Sequence, residues 1–203
     1  MEYLVTMTTR VPDGTPAHEV DDIRAREAAH TRDLAAQGQV LRLWRPPLEP
    51  GEWRTIGLFA AADTGDLERV LASMPLRVWR TDEVTALGAH PNDPGPGKVP
   101  LAAGDEEYLV TLVVGVPAGT SPEAVDERFA REAGRARELA ADGYLIRLWK
   151  LPGEGRNLGL WQATDATRLR EILRSLPLGD WLDVETVSLT AHPSDPVTAG
   201  ATP

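Results

Sequence analysis

The sequence predicts an α+β protein built from two similar domains that pair through their sheets. The chain contains one long repeat, since Glu2–Arg45 and Glu107–Lys150 match without gaps at 23 of 44 positions. Each copy follows the order strand, helix, strand, strand, helix, strand, which is the split βαβ or ferredoxin-like arrangement. A two-fold interface uses one patch twice, so a duplicated domain is typical of a fused homodimer. These observations predict two tandem ferredoxin-like domains that form an intramolecular pseudo-dimeric α+β barrel.

The first half of each repeat supplies a strand, a long helix and a second strand. Tyr3–Val11 is rich in β-branched residues and stops at a Pro-Asp-Gly turn, which predicts a strand. Helical spacing of apolar residues runs from Pro16 to Gln37 and stops at Gly38, a residue type that commonly follows a helix end. The next strand is predicted over Gln39–Arg45.

The second half of each repeat supplies a strand, a short helix and a last strand. Arg54–Ala61 is a predicted strand that follows a loop, and the second repeat shortens that loop by three residues, as surface connections tolerate. Asp63 is a predicted N-cap, and the helix after it ends at Ser73, before a Met-Pro pair. The last strand is predicted over about Thr81–Ala89, with Leu182–Ala191 as its counterpart.

These elements predict one domain over residues 1–94 and a second over residues 107–196. A linker rich in proline and glycine covers 95–106, and a small, polar, flexible tail covers 197–203. In such a domain both helices cover one face of a four-stranded antiparallel sheet. The other face is bare, so we expect an internal pseudo-dimer and allow for a further homo-oligomer.

The composition excludes several classes of function. A net charge of −10 and a pI near 4.9 argue against nucleic acid or an anionic membrane as a partner. The chain has no cysteine, no Gly-rich phosphate loop and no histidine spacing typical of a metal site. It lacks a signal-like N-terminal segment and a long apolar run, so we expect a cytoplasmic protein that acts on a small molecule.

A carboxylate lies on the apolar stripe of the first helix in both repeats. At about 100° per residue, Glu27 and Glu132 each fall in the middle of that stripe. Burial raises the pKa of a carboxyl toward the range that suits proton transfer, so both are candidate general bases. The alternative is a buried ion pair with Arg42 or Arg147 that only fixes the orientation of the helix.

Arg42 and Arg147 share a strand face with Trp44 and Trp149. Alternating Arg and Trp suits a half-polar cavity, in which Arg binds a carboxylate or an oxyanion and Trp forms an apolar wall. The alternative is a tryptophan in the interior of the barrel beside an arginine whose guanidinium group extends to solvent.

His90 and His192 each close a last strand and precede a proline. An imidazole at this position is a candidate proton relay or a donor to an oxyanion. The alternative is a local hydrogen-bond partner within the turn.

Taken in order, each repeat carries an inward Glu, a Gly-x-x-x-x-Leu-Trp-Arg/Lys segment, a Met/Leu-Pro-Leu segment and a final His-Pro pair. These segments are Glu27, Gly38–Arg45, Met74–Leu76 and His90-Pro91, then Glu132, Gly143–Lys150, Leu176–Leu178 and His192-Pro193. The ordered set resembles muconolactone Δ-isomerase almost end to end in both repeats. The resemblance implies ferredoxin-like subunits in α+β barrel dimers, and cofactor-independent isomerisation of an unsaturated lactone in the breakdown of aromatic acids.

The two repeats depart from the pattern of that family to different degrees. Asn157 and Asp183 match polar residues of the pattern, whereas the first repeat has Thr55 and Thr81 at those positions. The resemblance therefore favours the second repeat as the working site. Other polar groups of the pattern are replaced in both repeats, which indicates a larger or less charged substrate than muconolactone, in aromatic catabolism or secondary metabolism.

The resulting hypothesis is a proton shift next to a carbonyl through an enolate. The candidate bases, oxyanion partners and donors are, in turn, Glu132 and Glu27, Arg147 and Arg42, and His192 and His90. The candidate substrate-binding residues are Trp149, Trp44, Asn157, Thr55, Trp161, Phe59, Trp181 and Trp79. The same fold also suits a polyketide-type cyclase, a cofactor-free monooxygenase or a non-catalytic small-molecule-binding protein.

Overall fold

The computed structural model of the protein describes residues 1–199. The first repeat folds as β1 (Glu2–Thr9), α1 (Ala17–Ala36), β2 (Val40–Arg45), β3 (Arg54–Ala60), α2 (Thr64–Ser73), a 3-10 helix (Pro75–Trp79) and β4 (Arg80–Ala89). The second folds as β5 (Glu106–Val114), α3 (Pro122–Ala141), β6 (Leu145–Lys150), β7 (Arg156–Ala163), α4 (Ala166–Arg174), a 3-10 helix (Gly179–Trp181) and β8 (Leu182–Ala191). A short helix, α5 (Pro196–Ala199), follows β8.

The chain divides into two compact units whose limits lie inside β4 and β8. The first unit contains Met1–Leu87 and the chain from Thr190 onward, and the second contains Gly88–Leu189. The last residues of each repeat therefore belong to the unit that the other repeat forms. This exchange decides which side chains meet in each unit.

The first unit has the strand order β4-β1-β3-β2, and the end of β8 pairs with β2. All of these pairs are antiparallel, with Leu4 opposite Leu58 and Trp44 opposite Ala191. The N-cap at Asp63 is confirmed, because its carboxylate accepts a hydrogen bond from the Asp66 N–H at 2.8 Å. The core lies between the sheet and the two helices, and includes Tyr3, Val5, Met7, Leu34, Val40, Phe59, Leu67 and Leu71.

The second unit repeats this arrangement as β8-β5-β7-β6, and the end of β4 pairs with β6. The Asp165 carboxylate caps α4 by accepting from two backbone N–H groups. Trp161 lies over Gly159, where any Cβ would collide with the indole ring. The core includes Tyr108, Val110, Leu139, Leu145, Trp161, Leu169, Ile172 and Leu173.

The predicted fold class is confirmed, since both repeats form βαββαβ units with antiparallel sheets. Most element limits agree with the predicted limits to within two residues. Of the segment predicted as a tail, residues 197–199 lie in α5, and residues 200–203 lie outside the described part of the chain. Within residues 1–199, no helix is long and apolar enough to span a membrane.

Candidate active sites

Each unit contains a cavity beside its long helix. In the first unit, cavity 1 (≈ 240 Å³) is lined by parts of β1, α1, β2, β3 and the start of β4, together with the turn after β8. In the second unit, cavity 2 (≈ 720 Å³) is lined by parts of β5, α3, β6, β7 and the start of β8, together with the turn after β4. The two cavities occupy corresponding places in the repeat but differ threefold in volume.

Glu27 projects from α1 into cavity 1, as its helical spacing predicts. Its Oε2 accepts a hydrogen bond from the Leu76 N–H at 2.8 Å, which satisfies a donor at the start of a 3-10 helix. Its Oε1 accepts from Arg80 Nη1 at 3.1 Å. Burial raises the pKa of Glu27, and the Leu76 N–H and the Arg80 charge counteract that rise. Both carboxylate oxygens are therefore occupied.

Arg80 belongs to a buried ionic network. Its Nε lies 2.6 Å from the Asp82 carboxylate, and Arg77 binds the same carboxylate at 2.6 Å. The side chains of Arg80 and Asp82 are each 2% exposed. The predicted alternative for Glu27, a buried ion pair, is thus observed, but its partner is Arg80 and the prediction of Arg42 is wrong.

Glu132 occupies the corresponding position on α3 and lines cavity 2. Its Oε2 accepts from the Leu178 N–H at 2.9 Å, so the backbone contact is the same as in the first repeat. Leu182 stands where the first repeat has Arg80, and no described residue forms an ion pair with Glu132. Burial raises the pKa of Glu132, opposed only by the Leu178 hydrogen bond. Its Oε1 has no hydrogen-bond partner among residues 1–199.

The two histidines are exchanged between the repeats. His192 lines cavity 1 with Glu27, and His90 lines cavity 2 with Glu132. Each ring accepts a hydrogen bond at Nδ1 from the backbone N–H two residues on, at 3.1 Å in both turns. An Nδ1 that accepts carries no proton, so the neutral ring carries its proton on Nε2. The predicted alternative, a local hydrogen-bond partner within the turn, is thus observed for both histidines, and it leaves Nε2–H as the donor of each neutral ring.

Ion pairs hold the two turns that carry the histidines, and their arginines are Arg42 of β2 and Arg147 of β6. Arg42 binds Asp195 through Nε and Nη2, and Asp195 also accepts from the Leu43 N–H at 3.0 Å. In the second unit Arg147 binds Asp93 in the same way. Neither arginine lines cavity 1 or cavity 2, so the structure does not place them where the sequence hypothesis needs an oxyanion partner. They position the histidine turns instead.

The residues predicted to bind substrate divide into two groups. Thr55 lines cavity 1 and Asn157 lines cavity 2. The others are placed away from both cavities: Trp44, Trp149, Phe59 and Trp161 are buried in the units, whereas Trp79 and Trp181 are half-buried. The guanidinium groups of Arg42 and Arg147 lie 4.8 Å and 4.7 Å from the rings of Trp44 and Trp149, so the predicted Arg/Trp pairing belongs to the core.

Several lining residues were not predicted from the sequence. In cavity 1 they are Arg24, Arg45, Arg80 and Trp53, and in cavity 2 they are Lys150 and Arg156. Most of these residues differ between the two repeats, as Arg80 differs from Leu182, so the residues that the repeats share do not indicate them. The sequence feature that could have indicated Arg80 is that an arginine begins the last strand in the first repeat, where the second repeat has Leu182.

The pKa of His192 predicts a pH dependence of stability. Burial, with help from the nearby Arg45 charge, lowers the pKa of His192 to about 4. An unfolded histidine has a pKa of ~6.5. Between these values the unfolded state binds more protons, so the contribution of the ring to stability is complete above about pH 6.5 and is lost as the pH falls toward about 4. Urea unfolding should therefore show a smaller acid loss for His192→Gln than for the wild type. Equal losses would contradict a neutral, partly buried ring.

The fold and the cavities together define a class: ferredoxin-like α+β proteins with a partly buried glutamate and a neutral histidine in a small-molecule cavity. Both units meet this definition, although among residues 1–199 only the glutamate of the second unit has no ion-pair partner. Among residues 1–199, no group of acidic or histidine side chains is arranged to hold a metal ion.

Known proteins with similar sequences narrow this class. A sequence model of the family described as muconolactone delta-isomerase matches residues 1–93 and again residues 107–195. The muconolactone Delta-isomerase of Rhodococcus opacus is 33% identical over 88 residues, which are 43% of this chain and 95% of that protein. The enzyme of the same name from Cupriavidus pinatubonensis is 34% identical over 92 residues, which are 45% of this chain and 97% of that protein.

A solved structure agrees with the fold over nearly the whole chain. The heme-binding protein from Thermus thermophilus superposes with a TM-score of 0.60 at 11% identity, covering 98% of this chain and 95% of that one. At that identity the likeness shows the fold alone. The family model, by contrast, covers both repeats. The chain belongs to the muconolactone delta-isomerase family as a tandem duplication, and the predicted enzyme class, an isomerase, is confirmed.

Proposed function

We propose that cavity 2 catalyses a proton shift in an unsaturated lactone or a conjugated carbonyl compound, with Glu132 as the base. The observation that carries this proposal is a partly buried carboxylate in a cavity of ≈ 720 Å³ whose Oε1 accepts no hydrogen bond from residues 1–199. A carboxyl with a raised pKa can both take a proton from carbon and return it, which a shift within one molecule requires. Its Oε2 stays bound to the Leu178 N–H, which holds the base in place.

The reaction also needs a group that stabilises the negative charge left on the substrate when the proton is removed. When Glu132 removes a proton next to the carbonyl, the electron pair forms an enolate whose oxygen becomes negative. His90 lines the same cavity and carries its proton on Nε2, so the neutral ring can donate a hydrogen bond to that oxygen. The protonated Glu132 then returns its proton to another carbon, and the double bond moves. No other reactant is consumed.

The cavity favours a substrate with little net charge. Its charged lining residues are Lys150, Arg156, Glu132 and Glu154, which give a formal charge of zero. Most of the rest is apolar, including Leu112, Val114, Phe129 and Leu148. A lactone or enone larger than a single small ring suits both this volume and this lining. The similarity to muconolactone isomerases supports placing such a reaction in aromatic catabolism.

The exchange of histidines gives a test of this function. We expect His90→Phe to lower kcat by about 10²-fold, the usual effect of losing an oxyanion donor, and His192→Phe to change it little. The assay is deuterium incorporation into unsaturated lactones and enones in heavy water, followed by mass spectrometry and proton spectra of the product. A loss caused by His192→Phe instead would place the chemistry in cavity 1.

The same assay separates the other functions that suit this fold. Oxygen consumption without exchange would indicate a cofactor-free monooxygenase, and ring closure of a linear substrate would indicate a cyclase. Tight binding with neither exchange nor product across the panel would indicate a binding protein. Each of these results would contradict the isomerase proposal.

A further inference from the structure

Cavity 1 is strongly cationic in a chain that is strongly acidic. Its charged lining residues are Arg24, Arg45, Arg80 and Glu27, which give a formal charge of +2 with His192 neutral. The whole chain carries −10. The corresponding lining of cavity 2 is formally uncharged. Cavity 1 therefore attracts a ligand that carries a carboxylate, whereas the lining of cavity 2 gives no such attraction.

Two of these arginines have no carboxylate partner. Neither Arg24 nor Arg45 forms an ion pair with any residue in the described part of the chain, although acidic residues outnumber basic ones by 31 to 21. Both line the same cavity as His192, and their charges help to lower the pKa of that ring. Paired guanidinium groups with unused donors form strong, charge-assisted hydrogen bonds with a carboxylate.

An aromatic residue accompanies the two arginines. The Arg24 guanidinium lies 5.1 Å from the centre of the Trp53 ring, and Trp53 lines the cavity beside it. A volume of ≈ 240 Å³ corresponds to about eight water molecules at ~30 Å³ each, which is room for one ring with a substituent. The second repeat has lost this arrangement, since Phe129 stands at the position of Arg24 and is 42% exposed.

The base of cavity 1 is not available for proton transfer. Glu27 gives one carboxylate oxygen to the Leu76 N–H and the other to Arg80. Arg80 is fixed in turn by Asp82, so the ion pair cannot swing away without leaving a buried charge alone. Cavity 1 thus has arginines that can bind an anion, but its glutamate is not free to act as a base.

We propose that cavity 1 is a binding site for a small carboxylate that bears one planar ring, held by Arg24 and Arg45, and that it does not transform this ligand. The inference rests on the proposed function only in assigning the chemistry to cavity 2. The two repeats have then divided the work: the first binds an acid, and the second isomerises a less charged compound.

Calorimetric titration of the full chain with benzoate tests this inference. We expect one benzoate site per chain and at least about tenfold weaker binding for the double variant Arg24→Met/Arg45→Met. Both side chains are exposed at the cavity, so the variant should fold. The matched control is Arg32→Met/Arg137→Met, which removes two exposed helix charges that do not line the cavity and should bind within about twofold of the wild type.

A second comparison needs no variant. Benzamide has the shape of benzoate without its charge, so it should bind at least about tenfold more weakly. Equal binding of benzamide, two equivalent benzoate sites, no benzoate binding, or unchanged affinity in Arg24→Met/Arg45→Met would each overturn the proposal. Glu132→Gln should keep its benzoate site. If that variant also kept full turnover, the proposed function would fail while the benzoate site would stand.

Discussion

Replacing Glu132 by Gln should lower kcat by about 10³-fold, within the range that a positioned general base contributes. Gln keeps the size of the side chain and can still accept from the Leu178 N–H, so the 3-10 helix that follows should remain capped. What it loses is the oxygen that takes the proton. The measurement is the rate at which the isomerised product of the best substrate in the lactone and enone panel appears in proton spectra, since a proton that Glu132 returns within one turnover brings in no deuterium. Stability is checked by urea unfolding.

The matched control is Glu27→Gln, the same change at the same place in the other repeat. Glu27 is bound by Arg80 and lies in the smaller cavity, so we expect turnover to stay within about threefold of the wild type. Equal losses in the two variants would mean that both cavities work. Wild-type turnover in Glu132→Gln would remove the basis for the general-base mechanism.

Replacing Asp195 by Ala should cost about 3–5 kcal/mol of unfolding free energy, the usual effect of leaving one member of a buried ion pair alone. The side chain of Asp195 is fully buried and that of Arg42 is 9% exposed. Asp195 also accepts from the Leu43 N–H, so the change leaves a second buried donor without its partner. Urea unfolding of the full chain measures the loss.

An exposed pair of the same chemistry provides the control. Arg26 and Asp22 form an ion pair on α1 with side chains 58% and 66% exposed. Asp22→Ala should therefore cost no more than about 0.5 kcal/mol. The double change Arg42→Met/Asp195→Leu should recover much of the loss, because it removes the uncompensated charge. If Asp195→Ala lowered the unfolding free energy as little as Asp22→Ala does, that result would contradict a structural role for the ion pair between Arg42 and Asp195.

The secondary structure and the inward carboxylates were predictable because they depend on local spacing. A period of 3.6 residues directs Glu27 and Glu132 to the apolar side of their helices whatever the rest of the chain does. The caps at Asp63 and Asp165 are also local, since the side chain binds N–H groups two or three residues on. The partner of each carboxylate lies about 50 residues away, and no local pattern indicates Arg80.

The sequence by itself determined the duplication, the order of elements and the presence of one inward glutamate and one terminal histidine per repeat. The tertiary structure decided which of them meet. Because β4 and β8 each end in the other unit, His90 joins Glu132 and His192 joins Glu27. It also decided that Arg42 binds Asp195 and that, of the two inward glutamates, Glu132 is the one with an oxygen that no residue of 1–199 binds. Helix and strand periods set the direction of a side chain, whereas long-range strand pairing sets its neighbours, and the chemistry depends on the neighbours.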